Sequence, residues 1–195
     1  MSLGDYELRY IRAAVESLEA YLLSEGIYWP IGVSAPADAR PYPRLTLGGL
    51  LLSQKRAHAR TLTPDQRTEL ARLDERIDTT GARWQVAWGN KSASEFKARL
   101  RLWRDFLEEY RARPKEHNDR YAYEVRLRVM LHLLEPGARK ADESHPVEQA
   151  EFELLDSLDQ LLGAVFVAGE FIWDPELASA FLPQPYWYLY GELKA

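Results

Sequence analysis

The chain has 195 residues, 46% of them hydrophobic and 28% charged, and it contains no cysteine. This length and apolar share predict one folded domain and exclude a disordered or low-complexity chain. The missing cysteines exclude a disulfide framework, a thiolate metal site and a Cys nucleophile. A formal net charge of −5 argues against nucleic-acid binding by the chain as a whole.

The first residues, Met1-Ser2-Leu3-Gly4-Asp5, have neither the basic nor the apolar region of a signal peptide. The most apolar stretch, Leu154 to Trp173, is interrupted by Asp156, Asp159 and Glu170. Its longest uncharged piece is about half of the ~20 residues a membrane helix requires. The expectation is a soluble, cytoplasmic chain that makes no membrane contact.

Helical spacing dominates the pattern. Leu8, Ile11, Val15, Leu18 and Leu22 recur at steps of three and four, and Gly26 is the expected stop of that helix. An irregular connection follows over 27–45, where Pro30, Pro36, Pro41 and Pro43 fall. Residues 46–60 predict a helix that is apolar early and basic late, with Lys55, Arg56 and Arg60 suited to the negative end of its dipole. Thr63, Pro64 and Gln66 spell a capping box with proline at the first helical position, and open a stripe of Leu70, Leu73, Ile77, Trp84 and Trp88. Gly89-Asn90 is expected to end it. Ser92 and Glu95 then read as a second box, starting the stripe Phe96, Leu100, Trp103, Leu107 and Tyr110, which Pro114 closes.

Asn118 or Asp119 caps the next helix, expected to stop at Pro136-Gly137. Apolar on most sides, it predicts a central position. The weakest internal boundary lies near Ala141. Phe152, Leu155, Leu158 and Leu162 mark another helix, carried as far as Gly169 in preference to a strand over 164–172. Asp174-Pro175 starts a short last helix, ended by Pro183 and Pro185. No run of alternating residues beside a turn signal predicts a hairpin. The fold class expected is all-α, a single-domain antiparallel bundle of six to seven helices over 1–195.

Charge is unevenly placed. Residues 91–140 hold 13 basic and 8 acidic side chains, and residues 141–195 hold 1 basic and 11 acidic. The preferred reading is complementary packing of these blocks within the chain; an outward basic face for an anionic partner is the other.

Candidate sites are few. On the central helix Glu124, Arg128 and His132 form a polar line with Arg126 beside it, and Glu170 stands isolated in apolar sequence. Charges so placed must be paired or hydrogen-bonded. Arg126, Arg128, His132 and Glu170 are therefore the ligand-binding candidates, an internal pocket gripping a carboxylate or phosphate, set against a plain ion-pair network. Trp187, Tyr188 and Tyr190 in the terminal aromatic cluster are the interface candidates. No metal site is predicted, because the Glu-x-x-His step of bundle di-iron centres fails before His58, His117 and His132. Asp142 and His145 have that spacing once, in a loop. No nucleophile elbow or phosphate loop is present, Gly48-Gly49 included. No catalytic residue and no cofactor are predicted. The leading reading is a non-catalytic interaction module, meeting a protein partner or a second copy of itself. A small-ligand-binding or enzymatic bundle is the alternative, and nucleic-acid binding through the 91–140 block the weaker third.

Overall fold

A computed structural model describes residues 2–194. Helix α1 (Leu3–Leu22) opens with a capping box in which the Ser2 hydroxyl accepts from the Asp5 amide and the Asp5 carboxylate from the Ser2 amide. All five residues of its predicted stripe are buried. Gly26 is not its stop: the glycines with positive φ are Gly32 and Gly191 among the described residues. Local bonds close α1 instead, the Leu23 amide donating to the Glu19 carbonyl and the Ser24 hydroxyl to that of Tyr21, and Lys91 Nζ then ties down the turn that follows by donating to the carbonyls of Ser24 (2.6 Å) and Gly26 (2.8 Å).

The irregular connection is pinned by an antiparallel bridge, Trp29 to Leu45, with both amides donating. Helix α2 (Leu47–Ala59) follows, capped by Thr46. Helix α3 (Pro64–Arg83) begins with the Thr63–Gln66 capping box in place. The chain turns at Trp84 and enters α4 (Gln85–Ala112), which runs straight through Gly89-Asn90. The expected stop and the second capping box are both overturned there. Ser92 donates to the Trp88 carbonyl within the helix, and Glu95 reaches across to α2. The glycine is used for approach: a Cβ on Gly89 would stand 2.9 Å from the Lys140 carbonyl oxygen.

After α4 come two single-turn helices, α5 (Pro114–His117) and α6 (Tyr121–Glu124), and then α7 (Arg126–Ala138). Helix α7 is central and lies along α4, with Leu127, Val129, Met130, Leu131 and Leu134 buried. It does not stop at Pro136-Gly137. Proline so near the end removes a single hydrogen bond, and the next amides still close, Arg139 on Glu135 and Lys140 on Gly137.

Helix α8 (Gln149–Val165) stops short of Gly169, and the disfavoured strand is the correct reading. Strand β1 (Phe166–Phe171) pairs antiparallel with β2 (Tyr190–Leu193), Phe166 facing Leu193 and Phe171 facing Tyr190. Between them Asp174 caps a 3-10 helix, Pro175–Ala180, where the short last helix was expected. The fold is predominantly α, with eight α-helices among the described residues against the expected six to seven. The difference comes from the single-turn pieces α5 and α6. One apolar cluster runs from Leu8 to Leu193.

Candidate ligand cleft

The polar line on α7 does not form the pocket expected of it. Arg128 is buried and gives a two-pronged ion pair to Asp159 of α8, Nε and Nη2 each at 2.7 Å, with its guanidinium over the Tyr188 ring. Among the described residues this is the one close pairing of the basic and acidic blocks that lies inside the protein; Lys97 meets Glu151 only at 4.0 Å. Arg126 stacks on the exposed Tyr123, 3.5 Å from its centroid, and lies 3.4 Å from Glu124. His132 is half-buried with its ring edge-on to Tyr186. Burial, and then the neighbouring Arg128, hold its pKa below the ordinary histidine value. Glu170 is exposed on β1, where residues 167–170 all lie at the surface. Of the four candidates, Arg128 and His132 are neighbours, while Glu170 has no ion pair to Arg126 or Arg128.

The terminal aromatics pack on their own chain. Tyr188 is fully buried, Trp187 meets Phe166 edge-on, and Tyr190 lies against Phe171 and donates to the Phe181 carbonyl. Much of the basic block is engaged by its own acids: Arg104 by Asp105, Arg113 by Glu116, Arg120 by Glu109 and Glu124, Arg139 by Glu135. The Asp142–His145 loop is a local turn in which Ser144 bonds Asp142 and His145; the bonds from Asn90 and Ser144 hold the Asp142 pKa at about 2. No group of three or more His, Asp or Glu residues able to hold a metal ion is found among the described residues. No described helix is long and apolar enough to cross a membrane.

A cleft of about 640 Å³ lies elsewhere, between the start of α1, the C-terminal half of α2 and the Trp173 segment. Helical spacing explains its walls. Glu7 falls one residue before Leu8 and four before Ile11, so it shares the inner face of α1 and is 7% exposed. Arg56 and Arg60 lie one turn apart on α2. The 3-10 turn after Asp174 brings Asp174 and Glu176 onto Arg60, at 2.5 and 2.8 Å, while Glu176 also accepts the Thr61 amide. Arg60 is thereby committed to the protein.

Arg56 is not. Its guanidinium lies 4.9 Å over the Trp173 ring, and its Nε is buried without a hydrogen-bond partner. The Trp173 indole is fixed in turn by its Nε1–H, which donates to the Ala122 carbonyl at 2.8 Å. Burial pulls the Arg56 pKa below the usual guanidinium value. Burial likewise pushes the Glu7 carboxyl up, and the opposing pull of Arg56 and of the Ser53 hydroxyl does not cancel it. Glu7 and Arg56 therefore feel each other's charge without closing into an ion pair. Tyr6 and the exposed Asp38 and Arg40 complete the rim.

No protein-family model, no curated protein and no solved structure matches the chain.

Proposed function

We propose that the protein is a non-catalytic binding domain that takes a small organic oxyanion, a carboxylate or a phosphate, in the cleft between α1, α2 and Trp173. The observation that carries this reading is Arg56. A guanidinium lining a cleft and lacking a carboxylate partner is an electrostatic demand that an oxyanion meets with two parallel hydrogen bonds. Trp173 gives the guanidinium a flat support at the wall of the cleft. A cleft of this volume has the size of a small-molecule site. The alternative pocket around Arg128 is weaker support for binding, because Asp159 already fills the fork of that guanidinium.

Differential scanning fluorimetry with inorganic phosphate, acetate, benzoate and citrate tests the proposal. A ligand at a hundred times its Kd adds about 2.7 kcal/mol to the native state, so at least one of these probes raises Tm, and Arg56→Gln removes the rise. If none of them shifts the wild-type Tm, the reading fails.

A further inference from the structure

Besides Arg56, the cleft is lined by a second charged residue without an ion pair. Glu7 is a buried carboxylate on the facing helix, it lines the same cleft, and it has no ion pair among the described residues. The Ser53 hydroxyl on α2 is its polar neighbour, and a carboxylate has several acceptor sites. Carboxylates and guanidiniums in one cleft normally close on each other, because an unpaired buried charge is costly. These two stay apart. Arg56 is drawn aside over Trp173, whose indole is itself tied to Ala122, while Glu7 is fixed by the backbone of α1. The gap between two opposite charges, each held by a separate element, fits a molecule that carries both charges.

We propose that the cleft receives a small zwitterion, an oxyanion and an ammonium joined by a short chain, with Arg56 taking the oxyanion and Glu7 the ammonium. The inference rests on the anion-binding reading above and adds a second recognised group to it. Each end of the ligand restores the partner its residue lacks, so the complex contains no uncompensated charge. A plain anion satisfies Arg56 but leaves Glu7 facing it; a plain cation does the reverse.

Isothermal titration calorimetry on the full chain tests this with linear amino-carboxylates from glycine to 6-aminohexanoate, each beside the carboxylate lacking its amine. One chain length should bind about tenfold more tightly than its amine-free counterpart, the increment of a charge-assisted bond. In Glu7→Gln that advantage should shrink to about twofold or less, while Arg56→Gln should weaken both compounds. Glu7→Asp, with a shorter arm, should move the optimum to a longer chain. If the carboxylates bind and the amine adds nothing at any length, the zwitterion inference is wrong and the anion reading stands. If neither series binds at tens of millimolar, the zwitterion inference is wrong, and the anion reading then falls too unless inorganic phosphate raises Tm. The wild-type series decides on its own should a variant fail to fold.

Discussion

Helix α2 has a carboxylate and a guanidinium at each of its ends, and the two pairs are built in opposite ways. At the N-terminal end Glu95 is wholly buried and saturated: it accepts the Gly48 amide at 2.9 Å and two bonds from Arg99, which also reaches Thr46. The Tyr21 hydroxyl takes the Leu47 amide and the Thr46 hydroxyl the Gly49 amide, so three successive amides of the first turn are satisfied by side chains. At the other end Glu7 and Arg56 share a cleft without meeting. The first pair is sealed, and its charges serve the helix terminus, whose positive end favours an anion. The second is open, and its charges are left for something outside the chain. Charge content alone does not separate a structural pair from a binding pair; the number of bonds left unmade does.

Four experiments test that contrast, from the largest effect to the smallest. Glu95→Ala should cost about 3–5 kcal/mol in urea unfolding, since it leaves Arg99 buried alone and the Gly48 amide unpaired. A loss below about 1 kcal/mol would mean that water replaces the carboxylate and that the N-terminal pair is not sealed. Gly48→Ala should follow at about 1–3 kcal/mol. A methyl there would stand 2.9 Å from Glu95 Oε1 and 3.1 Å from Leu134 Cδ1, and neither neighbour has free space to yield.

Glu7→Gln should behave in the opposite sense, leaving stability unchanged or raising it by about 1 kcal/mol at neutral pH. Its folded pKa is raised by burial, so its favourable contribution is complete at acid pH and is lost as pH rises through the folded value. The stability difference between variant and wild type, followed by thermal melts from pH 4 to 8, should therefore grow with pH. A flat difference would show that Glu7 is solvated. Asp174→Asn should have the smallest effect, under about 1 kcal/mol, because the carboxylate is largely solvent-screened. Its pKa is lowered, first by the bond from Arg60 and then by the Glu176 amide. Its contribution is present above the ordinary carboxylate range and disappears as pH falls below it, opposite in sign to that of Glu7.

The sequence grammar of helix starts shows how far local reading carries. Thr63-x-x-Gln66 and Ser92-x-x-Glu95 are the same phrase, yet only the first opens a helix. Thr63 follows a break in the apolar stripe and precedes proline, so nothing competes for its hydroxyl. Ser92 lies inside a helix already running and bonds back to Trp88, while Glu95 is claimed by the Gly48 amide of α2. The strand after Val165 was hidden for a similar reason: β2, which pairs with it, arrives more than twenty residues later, outside the range of any hairpin signal. Half of the cleft was nevertheless readable. Glu7 lies on the inner stripe of α1, and a carboxylate at a core position is the signal for a buried charge. Arg56 was not, because a basic residue near a helix C-terminus already has a sufficient local explanation in the dipole. Its use depends on Trp173, more than a hundred residues away.

The clasp of Lys91 on Ser24 and Gly26 has a consequence for the order in which the chain takes shape. The oxygens of the turn that follows α1 are bound by a side chain 65 to 67 residues downstream, although the helix itself is closed locally by Ser24 on the Tyr21 carbonyl. Closing a loop of that length is an entropic step that must precede the bond. Until α4 docks, the turn between α1 and the proline-rich connection lacks that anchor. The path by which the chain leaves the first helix is thus fixed by the fourth, and the connection leading to α2 takes its direction from a long-range contact.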